Sequence, residues 1–275
     1  MPLYQAILLA IVQGLTEFLP ISSTAHLALI PEIFHWHDPG LGFDIALHVG
    51  TLVAVFIYFF RDWVTVIANG LGFSYGNSKP DENSGAMLWY LIAATIPVGI
   101  AGLLFKGLAE GPWRNPYVIG AMLILIGIVM GIGDRVGQEK RGLKQMTWMD
   151  AITVGLAQAL AVVPGTSRSG ATITAARFRH LDREASARFS FLLIAPAIGA
   201  AAAKDAFDLY KHGGIPPGMR LPYVVGIVVS AIVGIIVIAF FLKYLRHNTL
   251  SVFVWYRIVF GIIVIALAAF FRIGG

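Results

Sequence analysis

The 275-residue sequence has no cysteine. That excludes disulfide frameworks, thiolate nucleophiles and cysteine metal sites, and it leaves the redox compartment unread. Charge is the second thing it has little of. Asp, Glu, Lys and Arg make up 13% of the residues, about half the roughly 25% of a soluble globular chain. Apolar sequence takes their place: 57% of residues are hydrophobic and the mean hydropathy is +0.77. Several runs approach or exceed the ~20 apolar residues that cross a bilayer, so the chain reads as an all-α polytopic membrane protein. No charged stretch precedes the first apolar run, which argues against a cleaved signal peptide. The net charge of +5 points to cytoplasmic loops and anionic membrane lipids, not to nucleic acid.

Breaking the sequence at Gly, Pro and polar clusters gives eight apolar segments: about 3–28, 42–61, 86–105, 116–134, 148–174, 184–203, 222–243 and 251–271. Polar linkers at 70–85, 133–145 and 211–220 read as loops. Six segments look like spanning helices. The first and fifth differ, because each breaks at a proline, Pro20 in LPISSTAHL and Pro164 in VPGTSRSGAT, and continues with hydroxyl residues. Irregular backbone cannot face lipid, so both read as re-entrant helix hairpins.

The halves of the chain resemble each other weakly and in the same order. AILLAIVQGLTEFLPISST lies over AITVGLAQALAVVPGTSR, with Gln13 over Gln158, and YLIAATIPVGIAGLLFK lies over YVVGIVVSAIVGIIVIA. We read one membrane domain, 1–275, made of repeat one, about 1–138, and repeat two, about 145–275. A hairpin plus three spans per half gives an odd number of crossings, so the second repeat is inverted and the two hairpin tips can meet inside the membrane. Paired broken helices of this kind mark a midplane site in repeat-built membrane proteins. One side collects Arg61, Lys79, Arg135, Lys140, Arg141, Lys144, Arg177, Arg179, Arg183, Arg188, Lys243 and Arg246. The other holds Lys106, Arg114, Lys204, Lys211, Arg220 and Arg272. Positive-inside then puts the mouth of the first hairpin and both termini outside.

Arg168 is the residue that most needs explaining. An arginine at membrane depth is costly and marks function by default, and its fork of donors suits a phosphate or carboxylate. Ser167, Ser169 and Thr172 surround it with hydroxyls. Gly165 allows close backbone approach, and Thr166 or Ser167 can cap a helix whose first N–H groups bind anions. The partner hairpin supplies Ser22, Ser23, Thr24 and His26 after its proline. Glu17 lies one turn before the break, with Gln13 on the same helix face. A carboxylate, a histidine and a serine within ten residues are the parts of a nucleophile and proton-transfer set. Taken alone, Ser22 or Ser23 is better explained as a helix cap. His48 and Thr51 either line the cavity or pack between helices, and Gln158 is placed to support the site by its repeat position. Trp63, Trp113, Trp148 and Trp255 read as interfacial anchors.

PISSTAH looks loosely like an element of phosphatidic-acid-type membrane phosphatases, but those need a histidine soon after Ser-Arg, and here the next is His180. QGLTEFLPISSTAHL with PGTSRSGATIT resembles the bacitracin-resistance family of undecaprenyl-diphosphate phosphatases much better, over nearly the whole chain. The family pattern of Glu or Gln followed by Glu falls on Gln13 and Glu17. Its SSTxH falls on Ser22, Ser23, Thr24 and His26, and its PGxSRSxxT on Pro164, Gly165, Ser167, Arg168, Ser169 and Thr172. The resemblance implies removal of the terminal phosphate of a polyprenyl diphosphate lipid at the outer face of the bacterial cytoplasmic membrane. It also implies a divalent cation, Mg²⁺ or Ca²⁺, near Glu17 and Gln13, and a homodimer. Gln13 leaves one motif carboxylate where many relatives have two, which moves the acid–base burden onto Glu17 and His26. Ser23 is the first candidate nucleophile and His26 the second, with Arg168 stabilising charge. The competing reading is a secondary transporter or lipid flippase with a midplane anion site, which needs no proton-transfer set.

Overall fold

The computed structural model describes residues 1–37, 39–73, 85–211 and 214–271. Most of the linker read at 70–85, part of that at 211–220, and Lys79 and Arg272 lie outside the described residues. Of the described residues 82% are helical, and no strand occurs among them. The helices are α1 (Leu3–Phe18), α2 (Ser23–Ile33), α3 (Leu41–Tyr58), α4 (Phe60–Gly70), α5 (Ala86–Glu110), α6 (Pro116–Val136), α7 (Trp148–Ala159), α8 (Arg168–Phe178), α9 (Arg183–Leu192), α10 (Ile194–Lys211), α11 (Arg220–Leu245) and α12 (Ser251–Phe271).

Among the described residues five stretches are long and apolar enough to cross a membrane: Ala86–Leu104, Pro116–Val136, Arg183–Lys204, Pro217–Leu245 and Ser251–Phe270. The bent pair Gly42–Tyr58 and Phe60–Gly70, angled at 78°, makes up to six. These match the six expected spans. Leu103, Leu104 and Phe270 are 78%, 71% and 84% exposed, which lipid tolerates and water does not. The chain is a multi-pass membrane protein.

The segment after residue 61 corrects the sequence reading, because it stays helical as α4. Trp63 is buried against Phe56, with ring centroids 5.5 Å apart. It packs in the core and does not anchor at an interface. Trp148 and Trp255 are exposed.

α1, with 16 residues, is roughly 24 Å long at 1.5 Å per residue and falls short of a ~30 Å hydrocarbon core. It turns back into α2 and packs on it, as α7 turns back onto α8. The second arms run to Ile33 and Phe178, beyond the ends expected at 28 and 174. The α8 sequence is too polar for a hydropathy signal, yet its Ser169–Arg177 stretch is buried throughout. A helix walled by protein need not be apolar on any one face.

The halves interlock. α1, from the N-terminal half, lies along α11 from the C-terminal half, and α7 lies along α5. α6 pairs with α12 where Gly120 meets Gly261; a Cβ on Gly261 would come within 2.7 Å of the Gly120 carbonyl oxygen. Such backbone contact is how membrane helices pack without a hydrophobic drive between them. Basic side chains fasten the other end of hairpin two. Arg177, fully buried, donates to the carbonyls of Leu181, Asp134 and Gly137, and Asp150 accepts from Arg141 and Arg179.

Candidate active site

The two hairpin turns meet. Leu19 to Ser22 breaks the first hairpin, and the second breaks between a short 3₁₀ turn, Leu160–Val162, and Arg168. Ser22 precedes α2 at φ 76° and Ser167 precedes α8 at φ 67°. Non-glycine residues there cost about 1–3 kcal/mol each and persist where surrounding structure over-determines them. The Ser167 hydroxyl accepts from the Gly170 N–H at 3.1 Å and caps α8. Ser22 makes no such cap; its hydroxyl meets that of Thr24 at 3.1 Å. Gly165, at φ 89°, presses on α6: a Cβ there would lie 2.5 Å from the Ile119 carbonyl oxygen.

Glu17 is the centre of the site and is buried. One carboxylate oxygen pairs with Arg168 Nη2. The other accepts from Ser23 Oγ at 2.7 Å and Gln13 Nε2 at 3.0 Å, with His48 Nε2 at 3.4 Å. Gln13 must turn its N–H toward the carboxylate, which leaves its Oε1 buried with no partner. The Ser169 hydroxyl reaches across to the Leu19 carbonyl at 3.2 Å and also lies 3.2 Å from Ser167 Oγ. Thr172 sits deeper, bonded to the Arg168 carbonyl and to Ser190 Oγ.

A cavity of about 220 Å³ opens onto these groups. Its polar wall is Thr16, Glu17, Ser23, Thr24, His48, Ser167, Arg168 and Ser169; its apolar wall is Val98, Ala161, Val162, Ala197, Ile198 and Ala201. An adjoining cavity shares Thr24, His48, Ala161 and Val162 and extends to Asp44 and Arg114, which lie 3.8 Å apart. The half-polar, half-apolar lining suits an ester with a charged head and a hydrocarbon tail.

His26 lies elsewhere. Its Nδ1 donates to the Ser22 carbonyl at 2.7 Å, and in the neutral ring Nε2 accepts from the Tyr256 hydroxyl at 2.7 Å. It stacks on Phe260 with centroids 4.6 Å apart and does not line the cavity. His48 takes the position beside Glu17, its other nitrogen on the Asp44 carbonyl at 2.7 Å. Thr51 bonds the His48 carbonyl within α3. Gln158 ties α7 to the Ala94 carbonyl of α5 at 3.1 Å, away from Glu17 and Arg168.

Among the described residues no three His, Asp or Glu side chains converge on one point. The hard oxygen donors are Glu17 and the partnerless Oε1 of Gln13. Glu17 lines the cavity; Gln13 does not and turns its N–H to Glu17, so its amide would have to rotate for the pair to hold a Mg²⁺ or Ca²⁺ that takes the rest of its shell from water or phosphate oxygens.

The sequence reading passed over two residues on α12, Tyr256 and Arg257. Arg257 is fully buried and donates to main-chain carbonyls of both hairpin turns. An arginine inside an apolar span was the signal that should have found it.

The family model for bacitracin resistance protein BacA matches residues 6–263, which include both hairpins. Proteins named undecaprenyl-diphosphatase are similar along the chain. That of Trichlorobacter lovleyi is 46% identical, with 97% of each chain covered. That of Moorella thermoacetica is 44% identical, covering 97% of this chain and 98% of its own, and that of Pelotomaculum thermopropionicum is 43% identical over 98% of each. With Glu17, Ser23 and Arg168 brought together at two buried helix breaks, and with the match running through both, the chain belongs to the BacA bacitracin-resistance family.

Proposed function

We propose that this protein hydrolyses the terminal phosphate of undecaprenyl diphosphate, giving the monophosphate and inorganic phosphate, and so recycles a cell-wall lipid carrier and confers bacitracin resistance. The carrying observation is the 2.7 Å hydrogen bond from Ser23 Oγ to Glu17, whose other oxygen holds Arg168 at the mouth of one cavity. With no substrate bound, Arg168 is held by Glu17. A diphosphate carries more charge than one carboxylate and takes the guanidinium, together with the N–H groups that open α8. Glu17, released, accepts the Ser23 proton. Ser23 Oγ attacks the terminal phosphorus while the bridging P–O bond breaks, and lipid monophosphate leaves with the electron pair. Water then cleaves the phosphoserine and frees inorganic phosphate. Arg168 stabilises charge on the transferring phosphoryl group throughout. His26, through the Ser22 carbonyl, orients the turn that carries Ser23.

A divalent cation bound by Glu17 and Gln13 would neutralise phosphate charge. The halves form an inverted repeat with the site opening to the outer face of the cytoplasmic membrane. Its support is the crossed packing of α1 on α11 and α7 on α5, with the Lys and Arg distribution. A homodimer rests on the family resemblance, and light scattering of the detergent-purified protein tests it. For the chemistry, acid-quenching the reaction with terminally labelled substrate is expected to leave label on Ser23. Turnover with label on no residue would mean direct attack by water and sink the covalent route.

A further inference from the structure

Arg257 is the second arginine at membrane depth, and no step above uses it. Its donors are spent on five main-chain carbonyls. Nε reaches Leu123 at 3.2 Å and Nη1 reaches Pro20 at 3.2 Å; Nη2 reaches Met122 at 3.3 Å, Gly165 at 2.9 Å and Thr166 at 3.0 Å. No carboxylate among the described residues forms an ion pair with it. Arg177, the other fully buried arginine, has Asp134 Oδ1 3.4 Å from its Nε.

The carbonyls of Pro20, Gly165 and Thr166 belong to the two helix breaks, where no N–H four residues on takes them up. Lipid offers no donors in place of water. A guanidinium alone among side chains carries enough coplanar donors to serve both breaks at once; a lysine concentrates its three at one point. Pro20 stands between Glu17 and Ser23 in sequence, and Thr166 stands two residues before Arg168. Arg257 therefore ties the turn bearing the nucleophile to the turn bearing the cation. Among the described residues two other polar bonds join those turns: Ser169 to the Leu19 carbonyl, and the Glu17–Arg168 pair. The second must part when a diphosphate arrives, whereas Arg257 stays.

We propose that Arg257 is a positioning residue for phosphoryl transfer, holding the two hairpin turns in register so that Ser23 and Arg168 face the same phosphate once the Glu17–Arg168 pair has opened. This rests on the reaction centre proposed above. The test measures kcat and KM of the full-length protein in detergent on a polyprenyl diphosphate. Each variant is also checked by size exclusion and thermal unfolding. Arg257→Lys and Arg257→Gln are expected to lower kcat about 100-fold, the scale of a 1 Å misplacement, with KM within about threefold. Gly127→Ala leaves Arg257 in place but puts a methyl 3.2 Å from its Cβ; it is expected to lower kcat about fivefold at unchanged unfolding temperature. Wild-type kcat per folded molecule in Arg257→Gln overturns the proposal. If neither Arg257 variant folds, Gly127→Ala decides, and an unchanged kcat there overturns it. Arg168→Ala is run alongside: wild-type kcat in that variant would instead remove the reaction centre on which the proposal stands.

Discussion

The two hairpins share a backbone and divide the chemistry. Ser22 and Ser167 enter their second helices at positive φ, and His35 and His180 leave them at φ 52° and 62°; the members of each pair stand 145 residues apart. Gln13 and Gln158, at the same spacing, are both fully buried and each keeps an Oε1 without a partner. At that spacing, however, Glu17 corresponds to Val162 and Ser23 to Arg168. One hairpin carries the carboxylate and the serine, the other the cation. Strain and architecture are duplicated while the carboxylate, the serine bonded to it and the arginine are not, so the candidate site exists only where the hairpins meet.

The largest effect separates the hairpins by charge. Arg168→Ala and Glu17→Gln, one from each, are each expected to cost about 10³-fold in phosphate release. Near-normal release in either would break the division and leave one hairpin sufficient. Ser23→Ala against Ser169→Ala comes next. Ser23 is expected to lose about 10³-fold with its phosphoenzyme, and Ser169, which bonds only a carbonyl and a hydroxyl, about tenfold or less. Equal losses would put the serine of hairpin two on the same footing. Gln13→Glu adds a second carboxylate to the first hairpin. The Mg²⁺ concentration for half-maximal activity should then fall about tenfold, measured by titration after EDTA treatment, whereas Gln158→Glu should not shift it. The smallest effect concerns backbone. Ser22→Gly relieves positive φ and loses no cap, so the protein should gain about 1 kcal/mol. Ser167→Gly loses its capping oxygen as well, which costs a few tenths of a kcal/mol, so it should gain less, about 0.5 kcal/mol. Thermal unfolding in detergent compares the two.

Much of this was legible in sequence because lipid imposes strong rules. The six spans, the two proline breaks and the shared face of Gln13 and Glu17 follow from apolar run length and helical spacing. Other features are set by what surrounds a segment. α8 carries SGATITA with arginines at both ends and is buried, so hydropathy cut it short. The α3–α4 bend occurs at Phe59, with neither Pro nor Gly to announce it. Sequence proximity groups His26 with Glu17 and leaves His48 between lining the cavity and packing; the packing of α12 and α3 places His48 beside Glu17 and turns His26 away. Arg257 serves turns 92 and 237 residues away in sequence, a relation no local spacing encodes.

The cavity of about 220 Å³ has room for a diphosphate and the first carbons of a tail, not for a long prenyl chain. Much of a long prenyl tail therefore stays in the bilayer before and after the reaction, and its methylenes, worth roughly 0.8 kcal/mol each when removed from water, add little to recognition. Saturation should follow the mole fraction of substrate in the lipid or detergent phase, with the bulk concentration irrelevant. At equal mole fraction, prenyl chains of very different length should be turned over alike.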